Sequence, residues 1–233
     1  SLGLVGSEMC IRDRISRMFK ARELRLQRDL KEHSKFSHLG RKRILVAGSS
    51  GLIGTQLVAF LDTGGHDVWR LVRREAEEGS KELSWYPDKG ILNPTDIEGF
   101  DVIIHLGGAG IGDKRWNHKR KKLIIDSRKD STTLLSDTMS KLEKKPEAFI
   151  VASAIGYYGN RDDEELTEDS PPGNGFLTET VIQWESYADS ARDAGIRVVN
   201  TRNGIVLSAA GGALGRMLLP WKMGGGGPLA GGK

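Results

Sequence analysis

Cysteine is almost absent from this chain, and long apolar runs are missing. Cys10 is the one cysteine among 233 residues, which excludes a disulfide framework and a cysteine-based zinc site and favours a reducing, cytoplasmic compartment. No stretch approaches the roughly 18 apolar residues of a membrane span, so an integral membrane protein is excluded. Hydrophobic residues make up 38% and charged residues 28% of the chain, which is typical of a water-soluble globular domain.

The body of the chain also lacks a basic surplus, although the net charge is +4. Residues 1–43 carry twelve Lys and Arg against five Asp and Glu, so the remaining residues are net negative. The positive charge therefore belongs to one end, and the body offers no basic face for nucleic acid. We expect a small-molecule ligand, with no nucleic-acid partner, no membrane partner and no metal site.

Three segments divide the chain. Residues 1–14 resemble the translation of a sequencing adapter and are predicted to be a non-native extension or a disordered start. Residues 15–42 are rich in Lys, Arg and Leu and predict a basic linker helix. Residues 43–233 predict the main domain, which stops in the stretch GGGGPLAGGK and is expected to be incomplete at its carboxyl end.

The main domain opens with a strand, a glycine turn and a helix. The strand 43–47 leads directly into Gly48-Ser49-Ser50-Gly51-Leu52-Ile53-Gly54, a helix is predicted over 55–61, and a second strand over 67–73. In such a βαβ unit the first glycine makes the tight turn, the second lets the backbone approach a pyrophosphate, and the third lets helix and strand pack closely. The turn is therefore predicted to bind a dinucleotide at the helix start; the alternative is that the glycines serve only turns.

No acidic residue ends the second strand, where NAD-dependent proteins carry one for the ribose hydroxyl. The strand ends Leu71-Val72-Arg73-Arg74 instead. Because a guanidinium pairs with phosphate, Arg73 and Arg74 predict a preference for NADP(H) over NAD(H). The alternative is a solvated arginine pair without a ligand.

A third buried strand, over 101–106, leads into further glycines. Leu106, Gly107 and Gly108 are predicted to lie against the cofactor, since glycine lets the chain pass close to a ligand. His105 lies inside the apolar strand and is predicted to be a packed core residue. Residues 115–140 predict one long helix, and the basic run 119–122 predicts a solvated helix face.

Seven motifs, in order along the chain, resemble one protein family. The chain reads GSSGLIG at 48–54, GHDVWRLVR at 65–73, HLGG at 105–108, SAIGYYG at 153–159, WE at 184–185, RNGIVL at 202–207 and GGALGRMLLP at 211–220. These motifs resemble the atypical, epimerase-like group of the extended short-chain dehydrogenase/reductase superfamily. The resemblance covers residues 41–233.

The resemblance implies an α/β fold, a doubly wound parallel sheet of the Rossmann type with strand order 3-2-1-4-5-6 and room for a seventh strand. It implies a carboxyl-terminal substrate lobe that is largely missing from this sequence. It also implies a START-like domain ahead of the linker helix in the full-length protein. Superfamily members often pair through helices that flank the sheet, which makes a homodimer a candidate assembly.

The proton-transfer pair of the superfamily is missing from this sequence. The resemblance implies that Ser153, at the end of its strand, polarises the substrate oxygen. No Tyr-x-x-x-Lys occurs anywhere in the chain. Phe176 or Leu177 stands in the place of the tyrosine, and Thr180 or Val181 stands in the place of the lysine.

Two further residues are candidates for the site. Tyr157 or the adjacent Tyr158 is a candidate proton donor, and Tyr157 is otherwise a packing or substrate-contact residue. Arg202 is implied to contact an anion or carbonyl of the substrate, or else to form a buried ion pair. We therefore predict an NADP(H)-dependent oxidoreductase or epimerase acting on a small molecule, with a nucleotide sugar as one candidate. The alternative is an NADP(H)-binding sensor that has lost its proton relay.

Overall fold

The computed structural model describes residues 2–227, with side chains from residue 11 onward. Its strands are β1 (Arg43–Ala47), β2 (Asp67–Val72), β3 (Glu82–Ser84), β4 (Val102–His105), β5 (Ala148–Ala154) and β6 (Arg197–Asn203). Its helices are α1 (Leu2–Phe36), α2 (Leu52–Thr63), α3 (Pro94–Ile97), α4 (His118–Ser140), α5 (Phe176–Ser186), α6 (Asp189–Asp193) and α7 (Gly212–Lys222). The end of the predicted glycine-rich terminus, residues 228–233, lies outside the described residues.

The described strands form one parallel sheet in the order β3-β2-β1-β4-β5-β6. This order confirms the doubly wound Rossmann fold, and residues 2–227 contain no seventh strand. Because the strands are parallel, their carboxyl ends lie along one edge of the sheet. The register pairs Ala47 with His105 and Ser153 with Arg202. The turns that follow β1 and β4 are therefore neighbours at that edge.

Apolar residues fill both faces of the sheet. In β1, Leu45 and Ala47 belong to the larger buried cluster, whereas Ile44 and Val46 belong to the smaller one. This division follows from the alternation of side chains along a strand. Helix α2 contributes Val58 to the smaller cluster, while α4 and α5 pack on the larger one. Continuous apolar strands of this kind are expected when helices cover both faces of a parallel sheet.

Helix α1 begins at Leu2, so the segment predicted as non-native or disordered is helical in the described structure and continuous with the predicted linker helix. Its side chains from Ile11 onward are mostly exposed. Near its end, the His33 ring stacks on Phe60 of α2 with centroids 4.3 Å apart. In residues 2–227 no helix combines the length and the apolar content that a bilayer crossing needs, α1 included.

Helix α4 begins later than the sequence predicts. It begins at His118, because Asn117 caps it by accepting a hydrogen bond from the Arg120 amide at 2.8 Å. Arg115 and Trp116 lie in the preceding loop instead of the helix. The predicted solvated face at 119–122 is wrong for Arg120, whose side chain is 12% exposed and pairs with Asp113 of that loop at 3.2 Å.

Candidate cofactor and substrate site

A cleft of about 1170 Å³ opens at the carboxyl edge of the sheet, where β1, β2 and β4 end. It is lined by the turns after β1 and β4, by the end of β2 and by part of α4. Of the residues predicted to bind the cofactor, it brings together Gly48, Ser49, Ser50, Arg73, Arg74, Gly107 and Gly108. The others do not line it: Gly51, Leu52, Ile53 and Gly54 lie at the start of α2, and Leu106 directly follows β4. Contact of these residues with a cofactor stays a prediction.

Backbone atoms crowd two glycines of the first turn so closely that no side chain fits. Gly48 has a φ of +82°, and a Cβ there would lie 2.8 Å from the Gly107 amide nitrogen. A Cβ on Gly54 would lie 2.2 Å from the Gly48 carbonyl oxygen. The turn is thus held tightly against both the strand end and the turn after β4. This cradle fits the diphosphate of a dinucleotide, because it keeps the backbone bare where the ligand approaches.

The helix that follows the turn begins beside the cleft, which Ser50 and Thr55 line on either side of its first residues. Gly51 precedes α2 in an extended conformation and provides no side chain to cap it. Leu52, Ile53 and Gly54 form the first turn, in which amide groups have no acceptor within the helix. Amides at such a position, together with the helix dipole, favour an anion.

The structure separates the two arginines at the end of β2. Arg74 donates to Glu82 at 3.0 Å and forms a second ion pair with Glu77 at 3.4 Å. Arg73 is exposed on the cleft wall, and no ion pair engages it within the described residues. Arg74 is therefore held by neighbouring carboxylates, and the phosphate contact predicted for Arg73 and Arg74 stays a prediction.

His105 packs in the core behind the turn after β4, as predicted. It is 0% exposed, its Nε2 lies 2.9 Å from the Ser131 hydroxyl, and the Gly107 amide donates to its Nδ1 at 3.4 Å. Burial lowers the pKa of His105 to about 3, with the positive charge of Arg128 adding to the effect. The neutral ring supports the backbone of Gly107.

Acid should destabilise the protein through His105. His105 takes up a proton near pH 6.5 in the unfolded chain and only near pH 3 in the folded chain. The free energy of unfolding is therefore highest above pH 6.5 and falls as the pH is lowered from 6.5 to 3. The slope expected from one such group is about 1.4 kcal/mol per pH unit. Urea unfolding of wild type and His105→Gln between pH 4 and pH 7 measures it. An equal pH slope in both proteins would contradict the assignment.

Ser153, at the end of β5, hydrogen-bonds to a carboxylate of α5. It is 4% exposed, and its Oγ donates to Glu185 Oε1 at 2.5 Å. The Glu185 carboxylate also accepts two hydrogen bonds from Arg202, from Nε and from Nη2, each at 2.9 Å. Because β5 and β6 pair Ser153 with Arg202 in register, the carboxylate at the end of α5 joins two neighbouring strand ends.

Arg202 forms the ion pair that the sequence left as the alternative to substrate contact. Hydrogen bonds with Glu185 hold the pKa of Arg202 above its usual range, against the effect of burial. Its Nη1 donates to the Tyr158 hydroxyl at 3.0 Å, and its guanidinium lies 3.5 Å from the centroid of the Tyr157 ring. Tyr157 therefore packs against a cation; its role as a proton donor stays a prediction.

Helix α5 carries no proton-transfer group where the superfamily has its tyrosine and lysine. Phe176 packs edge-on against Trp116 at 5.5 Å. Thr180 is buried and donates to the Phe176 carbonyl at 2.7 Å, and Val181 is buried in the core. The side chains at these positions therefore pack against their neighbours or hydrogen-bond within the helix.

Sequence reasoning missed Glu185 as a site residue and considered Tyr158 only as a proton donor. The only available signal for Glu185 was its presence in the motif WE. Spacing along the chain could not reveal it, because Glu185 meets Ser153 only after α5 folds back on the sheet. Glu185 and Tyr158 share Arg202, at the end of β6, as a hydrogen-bond partner.

A parallel sheet in this order, with a glycine cradle at the first crossover, defines a Rossmann domain of the dinucleotide-binding type. The model of the NAD dependent epimerase/dehydratase family matches residues 44–220, and the chain belongs to that family. An epimerase family protein of Mycobacterium bovis is 40% identical over 190 residues, which cover 82% of this chain and 62% of the relative. The chain thus spans less than two thirds of that relative's length.

Two solved structures resemble this chain closely. The nucleoside-diphosphate sugar epimerase of Corynebacterium glutamicum is 36% identical, with a TM-score of 0.79 over 91% of this chain and 44% of that chain. The human epimerase family protein SDR39U1, solved with NADPH, is 34% identical, with a TM-score of 0.69 over 80% of this chain and 61% of that chain. The family resemblance read from the sequence is confirmed.

Proposed function

We propose that this chain is the cofactor-binding domain of an NADP(H)-dependent oxidoreductase or epimerase that acts on a small molecule. The observation that carries the proposal is the glycine cradle, where backbone atoms exclude a side chain at Gly48 and Gly54 beside the open cleft. The human relative solved with NADPH supports the cofactor class. The exposed Arg73 supports the phosphorylated form of the cofactor.

The substrate side of the proposal rests on Ser153. A bound nicotinamide supplies or accepts hydride, and Ser153 polarises the substrate oxygen at the end of β5. The Ser153 hydroxyl donates its one proton to Glu185, and it must turn from that carboxylate to a substrate oxygen in order to polarise it. We propose a nucleotide sugar as the substrate, because the relative from Corynebacterium glutamicum is described as a nucleoside-diphosphate sugar epimerase.

A second candidate is an NADP(H) sensor without turnover. The observation that favours it is the replacement of the proton-transfer pair on α5 by packed residues, among them Phe176 and the buried Thr180. Such a protein would bind the cofactor and signal its presence through a change in shape.

Cofactor titration combined with a turnover assay separates the two candidates. NADPH binding is measured by calorimetry. Turnover is measured with NADP⁺ and UDP-glucose, and then with a metabolite extract, by the absorbance of reduced nicotinamide for net oxidation and by chromatography of the sugar products for epimerisation, which leaves the cofactor unchanged overall. We expect NADPH binding and slow turnover that Ser153→Ala abolishes without weakening NADPH binding. Tight binding without turnover supports the sensor, and absence of NADPH binding overturns both candidates.

The two arginines at the end of β2 should differ in their effect on cofactor choice. Arg73→Ala is expected to weaken NADPH binding by about tenfold or more and to leave NADH binding within about twofold, because the charged contact to the extra phosphate is lost. Arg74→Ala is the matched control, with a smaller expected effect, since Glu82 already holds that guanidinium. Calorimetric titrations measure both. An effect of Arg74→Ala as large as that of Arg73→Ala would contradict the assignment.

A further inference from the structure

Lys121, near the start of α4, holds its ammonium group over an aromatic ring. Its Nζ lies 4.7 Å from the centroid of the Phe176 ring, and among residues 11–227 it forms neither an ion pair nor a hydrogen bond. The residue is half-buried, whereas Lys119 of the same helix is exposed. An ammonium has three hydrogen-bond donors, and a ring attracts its charge without replacing an oxygen acceptor. The ammonium is therefore available to donate to a ligand.

The ring below this ammonium belongs to one of the two residues that stand in the place of the superfamily's tyrosine. Phe176 is the first residue of α5, and it also packs edge-on against Trp116 at 5.5 Å. A phenyl ring has no proton to transfer, whereas an ammonium has one to give. Helix α4 thus brings a proton carrier to a position at which α5 provides none.

Lys121 and Ser153 lie at the same edge of the sheet. Helices α4 and α5 follow the parallel strands β4 and β5, so both helices begin at the carboxyl edge, where β5 carries Ser153. The Thr178 hydroxyl of α5 donates to the Gly156 carbonyl, in the turn after β5, at 2.9 Å. The first turn of α5 therefore contacts both Lys121 and the turn that follows Ser153.

The two tyrosines of the turn after β5 are engaged by a different cation. Arg202 donates to the Tyr158 hydroxyl at 3.0 Å, and its guanidinium lies 3.5 Å from the centroid of the Tyr157 ring. Glu185 in turn holds Arg202 through two hydrogen bonds. Both tyrosines thus belong to the charged cluster at the end of β6, whereas no side chain among residues 11–227 accepts a hydrogen bond from the Lys121 ammonium.

We propose that Lys121 is a catalytic acid, which contacts the oxygen of a substrate carbonyl and gives it a proton during reduction. This inference rests on the proposed function, because NADPH is the reductant. As the carbonyl carbon gains hydride, the C=O π bond breaks and its oxygen forms an O–H bond with a proton from Lys121 Nζ. The neutral amine left behind regains a proton from solvent. Lysine and tyrosine side chains have reference pKa values of about 10.4 and about 10 in model peptides, so the two acids are of similar strength.

Reduction of two carbonyl probes by NADPH, UDP-4-keto-6-deoxyglucose and isatin, tests the inference. Lys121→Ala should lower kcat by about 100-fold, the scale of general acid catalysis, and should leave the Kd for NADPH, measured by calorimetry, within about twofold of wild type. The matched control is Lys119→Ala, which removes an exposed lysine of the same helix and should behave like wild type. If Lys121→Ala does not fold, Lys121→Met keeps most of the side chain and should show the same loss.

Two further measurements separate proton transfer from a structural role. Methylammonium added to Lys121→Ala should raise kcat by about tenfold or more, because it returns an ammonium to the emptied position. Lys121→Arg should stay as slow as Lys121→Ala, since a guanidinium keeps the charge but does not release its proton. Recovery in Lys121→Arg would show that charge alone is sufficient and would overturn the proposal.

Amine labelling gives a readout that does not depend on turnover. A complex with NADP⁺ cannot transfer hydride to a carbonyl, so the probe that wild type reduces can be bound there while acetic anhydride reacts with the lysines. Mass spectrometry then measures the acetylation of each lysine. Compared with NADP⁺ alone, a saturating probe should slow acetylation of Lys121 by about fivefold or more and leave Lys119 unchanged. Equal labelling of Lys121 with and without the probe overturns the contact.

The outcomes separate this inference from the proposed function. Wild type that binds no NADPH overturns both. Wild type that binds NADPH and reduces neither probe favours the sensor and overturns the role of Lys121. Turnover that Lys121→Ala leaves unchanged overturns that role alone, and a 100-fold loss in Tyr157→Phe or Tyr158→Phe would then assign the proton to a tyrosine instead, at about the same scale.

Discussion

Gly54→Ala is expected to lower the free energy of unfolding by about 3 kcal/mol and to abolish measurable NADPH binding. The added methyl group would lie 2.2 Å from the Gly48 carbonyl oxygen and 2.8 Å from the Ser49 Cα. Both are backbone atoms, so the clash cannot be relieved by a side-chain rotation. The turn must instead move away from α2, which displaces the amides that form the cradle.

Gly204→Ala is the matched control for this prediction. Gly204 is exposed, and a Cβ there would lie 3.7 Å from the Ile155 Cδ1 atom, an ordinary contact with a side chain. We expect its stability to stay within about 0.5 kcal/mol of wild type. Urea unfolding and NADPH calorimetry on the three proteins measure the effects. A Gly54→Ala protein as stable as the control and binding NADPH normally would show that the cradle tolerates a side chain.

The cradle was predictable from sequence because its chemistry is local. The strand 43–47, the glycines at 48, 51 and 54 and the helix after them are contiguous, and each glycine has a backbone reason to be there. The parallel order of the sheet followed from the family resemblance, and the buried His105 followed from its place in an apolar strand. Local pattern thus predicts turns and strands well.

The charged groups of the site were less predictable, because their partners are far apart in sequence. Arg73 and Arg74 are equivalent in the sequence, and only β3 separates them by bringing Glu82 to Arg74. Arg120 lies in a basic run that predicts solvation, yet the loop before α4 buries it against Asp113. In each case a tertiary neighbour decides the role, and spacing along the chain carries no information about that neighbour.

The pair Glu185–Arg202 shows how such neighbours hold the ends of β5 and β6 together. Its carboxylate accepts from Ser153 as well as from Arg202, so three donor atoms from two strands, β5 and β6, depend on a single carboxylate. Exposed ion pairs of the same kind contribute little, because water competes for both charges. Here the Glu185 and Arg202 side chains are 13% and 20% exposed, and water can replace a lost partner only in part.

Glu185→Ala is therefore expected to lower the free energy of unfolding by about 3 kcal/mol, since it leaves a largely buried guanidinium without its partner. The matched control is Glu164→Ala, which removes a carboxylate that also receives two Arg161 hydrogen bonds, at 2.7 Å each, but is 49% exposed. We expect the control to lose less than about 1 kcal/mol. Urea unfolding measures both variants.

A double-mutant cycle identifies the source of the loss at Glu185. If the cost arises from an unpaired Arg202, adding Arg202→Met to Glu185→Ala should recover part of the stability, because the stranded charge is removed. If instead the cost arises from the Ser153 hydroxyl, the Glu185→Ala, Arg202→Met double variant should be no more stable than Glu185→Ala. Adding Ser153→Ala to Glu185→Ala should then recover stability instead. Equal losses for Glu185→Ala and Glu164→Ala would contradict the view that burial gives this ion pair its strength.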